Sequence, residues 1–443
     1  MFKEFSKTLK ISVPLIISNV SQISLGLLDS AMIGAVDYHQ LAASSLVINV
    51  ITIPQVLGLG MTMAISPLVA IANGRKDIFK ASHVLFNGFV LCTLSAVIIA
   101  VTLVLNKNLL LHLGQDKQVA IFALPFYTIM VWSLIPMLMF SAVKQFCDAL
   151  EFTKTAMLLS LLSLPINAFL NWIFIYGRFG FARMELFGAG LGTLITRALI
   201  AVILILIVMR HKLFVPYIQL RSKAWKISSK AWKELLAIGI PSSMQYGLEA
   251  GAFSVSGIMI GWLGATAQAA HQIALNIASA TFMAALGLSL GGSIRVANAY
   301  GRNDNLQLRR IGLSTILGGL FYGIICAVLF VVFQHQLPLF FTPNAEVAAI
   351  ASTLLVLAAI FQISDATQAI GVGLLRGIKD AKLPTAFVAF AYWIIGIPVG
   401  YFLSFKVNMG PSGIWIGFIA GLTASSILLN TRFLKRTKIT TTD

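Results

Sequence analysis

The chain alternates between long apolar runs and short polar segments. Twelve runs are long enough to cross a bilayer, which takes about 20 mostly apolar residues in a helix. They are centred within residues 11–34, 41–66, 83–105, 119–143, 155–176, 186–209, 235–262, 266–292, 311–333, 346–374, 385–403 and 411–431. Membrane barrel strands alternate between apolar and polar residues, so these unbroken runs predict helices. We expect an all-α polytopic membrane protein with twelve transmembrane helices.

The basic residues between the runs predict the orientation of the helices. Of the 32 Lys and Arg residues, 26 lie in segments on the side of the N-terminus, five lie on the opposite side, and Arg197 lies within a run. Since cytoplasmic loops are rich in Lys and Arg, we expect both termini in the cytoplasm. The formal net charge is +17, but the basic residues on the side of the N-terminus are spread over seven segments as topology signals, so the charge does not indicate nucleic-acid binding.

Composition agrees with a chain that is almost entirely embedded in the membrane. Hydrophobic residues make up 58% of its 443 residues and charged residues only 11%, whereas about a quarter of a soluble domain is charged. The three cysteines (Cys92, Cys147 and Cys326) have no paired spacing, so we expect neither disulfides nor a metal site. No P-loop motif for ATP and no nucleophile–base constellation of an enzyme stands in the sequence, and the N-terminus is too polar for a signal peptide.

The chain contains an internal repeat. Residues 11–77 align without a gap on residues 238–304, with 17 identities in 67 positions. Each repeat has six spans, an even number, so both repeats enter the membrane from the same side and are parallel. We predict an N-terminal six-helix bundle over 1–209, a basic cytoplasmic linker over 210–234 and a C-terminal six-helix bundle over 235–443. Transporters commonly bind substrate between such halves.

Three carboxylates lie well inside predicted helices: Asp29, Glu249 and Asp365. An ionisable residue at bilayer depth is costly, and by default it marks a functional site. Such a carboxylate lowers its cost by binding a proton, a sodium ion or an organic cation, and these choices exclude one another. Competition for one charge is enough to couple the export of one cation to the import of another. The alternative is a structural hydrogen bond for Asp29 and helix packing for the other two.

Two amides and one arginine extend this picture. Asn167 and Asn171 are four residues apart and share one face of a helix. Their carbonyl oxygens suit a hard cation such as sodium, while the alternative is hydrogen bonding between helices. Arg197 could snorkel to the interface, pair with Asp29 or repel cations, and the sequence leaves all three possibilities open.

Several strings stand in order along the chain: LDSAMIG (28–34), NAFLNWIFIYGRFG (167–180), GLGT (190–193), IPSSMQYGLEAGAF (240–253), SDATQAIGVGLLRGIKD (364–380), YWIIGIPVGY (392–401) and GIWIGFIAGL (413–422). With the twelve spans and the basic central loop, they resemble the MATE (multidrug and toxic compound extrusion) family, closest to its NorM-like bacterial branch. The resemblance implies a V-shaped pair of six-helix bundles that expels cationic, amphipathic compounds. Uptake of sodium ions or protons drives that export.

The resemblance also implies a set of site residues. Those for coupling to a cation or proton are Asp29, Asn167, Asn171, Thr193, Glu249 and Asp365. The candidates for substrate binding are Asp29, Gln245, Glu249, Phe361 and Asp365. Some NorM-type members have a tyrosine at the Phe361 position, and the phenylalanine keeps the ring that a cation–π contact needs. A sodium ion would bind at Asp29, Asn167, Asn171 and Thr193, or at Glu249 and Asp365.

We therefore expect a secondary active multidrug exporter, which works by sodium- or proton-coupled antiport and alternating access. Its place would be the bacterial cytoplasmic (inner) membrane, as a monomer without a resident cofactor, ATP or nucleic acid. The alternative is a flippase-type exporter of a lipid-linked or polar metabolite on a related fold. Such an exporter would need basic residues around a pyrophosphate, but Arg197 alone lies within a span, against three acids. Neither the drug nor the coupling ion follows from the sequence.

Overall fold

The computed structural model describes residues 1–112 and 117–438, which fold into helices joined by short turns. No strand occurs in this part of the chain, which confirms the all-α prediction. The α-helices are α1 (Phe2–Gly34), α2 (Tyr38–Thr62), α3 (Ile65–Gly74), α4 (Ile78–Leu105), α5 (Lys117–Ala149), α6 (Thr153–Tyr176), α7 (Glu185–Arg210), α8 (Val215–Gln219), α9 (Arg221–Ala224), α10 (Ser229–Gly261), α11 (Ala265–Gly301), α12 (Asn305–Val332), α13 (Ala345–Gly377), α14 (Lys382–Ala389), α15 (Ile397–Tyr401) and α16 (Pro411–Arg436).

Eleven helical segments within the described residues are long and apolar enough to cross a membrane. They correspond to eleven of the twelve predicted spans, with α2 and α3 together forming one of them. The remaining prediction, 235–262, falls on α10, which has 33 residues and is long enough to span. Its middle carries Ser242, Ser243, Gln245 and Glu249, and these polar residues lower its mean hydropathy. The chain is a multi-pass membrane protein.

The segment predicted as a plain span over 385–403 is not a regular α-helix. It runs from Lys382 to Lys406 and contains two π-helical stretches, Phe390–Gly396 and Phe402–Lys406. A π-helical turn is wider than an α-helical turn, and such turns are rare and frequent at functional sites. The wider turn changes which side chains face the neighbouring helices.

The helices form two compact units. The C-terminal unit comprises residues 244–443 together with residues 1–16, and the N-terminal unit comprises residues 17–243. The boundaries therefore fall inside α1 and inside α10, after Ile16 and after Ser243, two positions that the sequence repeat makes equivalent. The predicted bundles follow the sequence repeat, whereas each compact unit also takes in the first residues of the other repeat's leading helix.

Equivalent contacts hold these exchanged segments in place. In the C-terminal unit, Gly287 of α11 lies directly against Ile16 of α1. In the N-terminal unit, Gly60 of α2 lies against Ser243 of α10, and both partners are 227 residues away from their counterparts. A Cβ atom at Gly60 would collide with the Ser243 backbone, and one at Gly287 would collide with the Ile16 side chain, so both helix pairs need a glycine at the point of contact.

The turns at the ends of the aligned segments are equivalent as well. Lys76 and Asn303 both have a φ angle of +58°, in the left-handed region. The next residues, Asp77 and Asp304, cap α4 and α12 by accepting hydrogen bonds from backbone amides at 2.8 and 2.9 Å. The repeat read from the sequence is thus also a repeat of local geometry.

Residues 1–16 are tied into the C-terminal unit by polar contacts. The guanidinium of Arg295 is buried, and its Nη1 donates to the Glu4 carbonyl at 2.6 Å and to Thr8 Oγ1 at 2.8 Å. Its Nη2 forms an ion pair with the Glu4 carboxylate. Nearby, the Phe5 ring covers Gly318 of α12. The start of α1 is thus an integral part of the core of this unit.

Candidate functional site

Asp29 of α1 is the centre of a hydrogen-bonded cluster in the N-terminal unit. Asn171 Nδ2 of α6 donates to its Oδ1 at 2.6 Å, and Thr193 Oγ1 of α7 donates to its Oδ2 at 2.8 Å. Asn167 completes the cluster, because its Oδ1 accepts from Asn171 at 3.2 Å and its Nδ2 donates to Thr193 at 3.3 Å. The structure therefore brings together all four residues that the resemblance assigned to this bundle.

Arg197 lies one helical turn after Thr193 on α7 but does not form an ion pair with Asp29. Its Nη1 instead donates to Ser133 Oγ of α5 at 2.7 Å. Both oxygens of Asp29 thus accept from neutral donors, and the arginine stays close enough to interact with it electrostatically. Of the three possibilities that the sequence left open, direct pairing is not what the structure shows.

Glu249 of α10 is the centre of the second cluster, in the C-terminal unit. Gln245 Nε2, one turn earlier on α10, and Gln368 Nε2 of α13 both donate to Glu249 Oε1 at 3.0 Å. Tyr392 Oη, in the first π-helical stretch, donates to Gln368 Oε1 at 3.1 Å. The donors fix one oxygen of the carboxylate, and Oε2 has no hydrogen-bond partner among the described residues.

Asp365 lies on α13 one helical turn before Gln368, which donates to Glu249. Its side chain is only 7% exposed, and it forms no hydrogen bond or ion pair with any residue that the structure describes. A buried charge without a partner is costly, so this carboxyl needs a proton or a cation. In the second cluster, Glu249 Oε2 and the Asp365 carboxyl therefore accept no hydrogen bond from the described residues, whereas in the first cluster each oxygen of Asp29 accepts one.

Phe361, the predicted cation–π partner, lies one turn before Asp365 on α13. Its ring is buried in the core of the C-terminal unit, with ring centroids 5.6 Å from Trp415, 6.3 Å from Phe253 and 6.3 Å from Phe418. The Phe361 ring is thus part of the aromatic core of this unit. Its role in substrate binding stays a prediction.

Comparison with known proteins decides the family. A family model described as MatE matches residues 14–173 and 241–402, more than half of the chain, and the two matches begin 227 residues apart, like the internal repeat. The chain belongs to the MatE family. Members of this family are transporters, so the prediction that the chain is not an enzyme is confirmed.

Relatives of this MatE protein carry multidrug resistance names. The probable multidrug resistance protein NorM of Bradyrhizobium diazoefficiens is 33% identical over 434 residues, which cover 97% of this chain and 93% of that protein. The multidrug resistance protein MdtK of Proteus mirabilis is 32% identical over 448 residues, which cover 97% and 95%. The NorM-like resemblance read from the sequence is thereby confirmed.

A solved structure supports the same fold. It is the outward-facing conformation of a multidrug resistance MATE family transporter of the MOP superfamily, and it matches this chain with a TM-score of 0.90. The match covers 98% of this chain and 96% of that chain at 19% identity. At this identity the likeness concerns the fold and not the substrate.

Sequence reasoning missed three polar partners in this MatE protein: Gln368, Tyr392 and Ser133. Gln368 stands three residues after Asp365, a spacing that places both on one side of a helix, so it could have been found. Tyr392 contacts Gln368 from a π-helical stretch, which no periodicity in the sequence predicts. Ser133 is one serine among many, and only the fold places it beside Arg197.

Gly192 is expected to be required for the Asp29 cluster. It lies on α7 against the side chain of Asn171, and a Cβ there would meet Asn171 Oδ1 and lie 3.3 Å from its backbone nitrogen. A Gly192→Ala variant must push Asn171 away from Asp29, at a cost of about 1–3 kcal/mol for overpacking. We expect lower thermal stability and loss of transport. Gly26→Ala, which has nothing within 4 Å of the added methyl group, should leave both unchanged.

Proposed function

We propose that this protein is a secondary active exporter of cationic, amphipathic drugs, driven by uptake of sodium ions or protons. The observation that carries the proposal is the second cluster, where Glu249 Oε2 and the buried Asp365, one helical turn before Gln368, have no hydrogen-bond partner among the described residues. Both are acceptors for positive charge, and neither forms an ion pair with a basic side chain in the part of the chain that the structure describes. The multidrug resistance names of the relatives support the same substrate class.

Coupling follows from competition for these carboxyls. A proton or a sodium ion on Glu249 and Asp365 removes the charge that attracts an organic cation, and an organic cation removes the charge that attracts the ion. Gln245 and Gln368 hold the Glu249 carboxylate in one orientation, so the same oxygen is presented to either ligand. A charge that enters down a potential of 100 mV supplies about 2.3 kcal/mol for the exchange.

Asp29 would act as a second exchange site, in the N-terminal unit. The amide and hydroxyl donors around it stabilise the ionised carboxylate, and they can rotate their oxygens toward a cation because amides and hydroxyls both donate and accept. We further propose that export proceeds by alternating access in the bacterial cytoplasmic membrane, with both termini in the cytoplasm. The positions of the basic residues and the bacterial relatives support this placement.

The proposal is tested with purified protein in liposomes and a fluorescent cationic dye. A sodium gradient and a pH gradient are imposed separately, and dye movement is followed in each case. We expect movement under one of them, which identifies the coupling ion, and loss of that movement in Glu249→Gln and Asp365→Asn. Glu346→Gln, a neutralised carboxylate at the exposed start of α13, is the matched control and should transport normally.

Two outcomes would contradict the proposal. The first is the absence of dye movement under either gradient with folded, correctly inserted protein, which would favour an exporter of lipid-linked or polar metabolites. The second is unchanged transport in Glu249→Gln and Asp365→Asn, which would remove the role of the second cluster. Thermal unfolding of each variant distinguishes these outcomes from a failure to fold.

A further inference from the structure

The segment between α7 and α10 packs as an ordered part of the N-terminal unit. Phe214, at its start, is fully buried, and its ring centroid lies 6.1 Å from that of Phe146 and 5.4 Å from that of Phe152. Ile218 of α8 and Ala224 of α9 are buried as well. The predicted cytoplasmic linker therefore has a fixed inner face.

Two side chain contacts to α4 fix the far end of this segment. Trp225 stacks on Phe86 with ring centroids 5.5 Å apart, and its Nε1 donates to Ser82 Oγ at 3.2 Å. The fully buried Asn87 donates to the Lys226 carbonyl at 3.0 Å and accepts from the Ser228 amide at 3.0 Å. Hydrogen bonds on both sides of Ile227 therefore hold this residue outward, where 66% of its surface is exposed.

The outer face of the segment carries positive charge throughout. All seven basic residues between 210 and 233 are exposed, and the stretch contains no acidic residue: Arg210, Lys212, Arg221, Lys223, Lys226, Lys230 and Lys233. None of them forms an ion pair with any residue that the structure describes. Leu213 and Ile227 add exposed apolar surface between them. We call these nine residues the linker surface.

A topology signal alone does not explain this arrangement. The positive-inside rule requires basic residues in a loop but no particular structure. Ordering a segment of this length costs about 1–2 kcal/mol per residue in backbone entropy, which the buried aromatic residues and Asn87 offset. The result is an array of cations without an ion-pair partner among the described residues, on an ordered backbone with exposed apolar side chains. This combination is found where protein segments bind the surface of an anionic bilayer.

We infer that the linker surface binds the headgroups of anionic phospholipids. Arg210 is the last residue of α7, which is long and apolar enough to span the bilayer, so the linker surface begins where the chain leaves the membrane. Lys and Arg near a charged membrane surface each contribute about 1 kcal/mol of attraction. Ile227 and Leu213 enter the boundary between headgroups and acyl chains, while the flanking lysines contact the phosphates.

A fluorophore at one introduced cysteine tests the inference directly. Ser222 is exposed in the middle of the linker surface, and the native cysteines are buried, so a label on Ser222→Cys reports on this region. The labelled protein is reconstituted with brominated phosphatidylglycerol, which is anionic, or with brominated phosphatidylcholine, which has no net charge. We expect quenching by the anionic lipid to be at least about twofold stronger at equal mole fraction.

Two charge-matched variants separate a specific surface from general attraction. The first is a quadruple variant of the linker surface, Lys212→Gln/Arg221→Gln/Lys223→Gln/Lys226→Gln. In this variant, quenching by the anionic lipid and quenching by the neutral lipid should become equal. The second variant removes the same number of charges from exposed positions of the C-terminal unit on the same predicted side of the membrane: Arg302→Gln/Arg310→Gln/Lys382→Gln/Lys435→Gln. It should keep the stronger quenching by the anionic lipid. If the first variant does not fold, Lys223→Glu, a single exposed substitution, should lower the preference in its place.

Three results would overturn the inference. One is equal quenching by both lipids in the labelled parent protein. Another is an equal loss of preference in the two charge-matched variants. The third is displacement of the anionic lipid by millimolar inorganic phosphate, which would assign the surface to free phosphate. Because quenching measures binding and not transport, these results are independent of whether the protein exports the dye.

Discussion

Replacing Asp29 by asparagine is expected to lower gradient-driven export of a cationic dye by about tenfold or more. The carboxylate accepts from Asn171 on one oxygen and from Thr193 on the other. An asparagine keeps the size of the side chain but loses the charge and offers only one acceptor atom. One of the two donors then faces an amide NH₂, and the cluster has lost the negative group that would be exchanged between ligands.

The measurement is the initial rate of dye movement in liposomes, together with dye binding by fluorescence anisotropy. Since Glu249 and Asp365 belong to the other unit and are unchanged in this variant, we expect part of the dye binding to be retained while transport is lost. Asp37→Asn serves as the control, because Asp37 caps α2 and asparagine is an equally good cap. Full transport by Asp29→Asn would mean that the Asp29 cluster serves only to pack α1 against α6 and α7.

A Glu4→Ala variant is expected to lower the free energy of unfolding by about 3 kcal/mol. Arg295 is only 7% exposed, and Glu4 is the only carboxylate that pairs with it among the described residues. Removing the Glu4 carboxylate leaves the buried Arg295 guanidinium with two neutral acceptors, the backbone carbonyl of residue 4 and the Thr8 hydroxyl. An uncompensated buried charge is among the largest single-residue costs in a protein.

Thermal unfolding of the purified protein in detergent measures this effect. Glu4→Leu combined with Arg295→Met should recover most of the stability, because an apolar pair of similar volume replaces the ion pair without burying a charge. Glu346→Ala removes an exposed carboxylate that forms no ion pair with any described residue, and it should cost less than about 1 kcal/mol. A loss of equal size in Glu4→Ala and in Glu346→Ala would show that the Arg295–Glu4 pair is not important for stability.

The lengths of the apolar runs and the positions of the basic residues were sufficient to predict the helical fold, because a transmembrane helix requires a long apolar run. The same reasoning could not place the unit boundaries after Ile16 and Ser243, since the apolar run of α1 continues on both sides of its boundary. It also could not find the π-helical stretches, because residues that widen a helical turn have no distinctive composition.

The two candidate clusters were predictable to different degrees. The spacing of Asn167 and Asn171 alone places both on one face of α6, but only the family resemblance connected them with Asp29 and Thr193, which are far apart in sequence. In the second cluster, Glu249 and Asp365 were identifiable because carboxylates are rare inside spans. Gln368 and Tyr392 were missed because burying an amide or a phenol in a membrane costs less free energy than burying a carboxylate, so their presence in a span does not by itself indicate a functional site.

The exchange of helix segments between the repeats has a consequence for biosynthesis. Arg295 lies 291 residues after Glu4, so residues 1–16 are synthesised long before the surface on which they pack. The N-terminal unit is likewise incomplete until the residues up to Ser243, in the first helix of the second repeat, have been synthesised. When α7 has just been synthesised, the chain therefore has six of its spans, but neither compact unit is complete. Until the second repeat is synthesised, the start of α1 lacks the surface of α11 on which it packs in the folded protein.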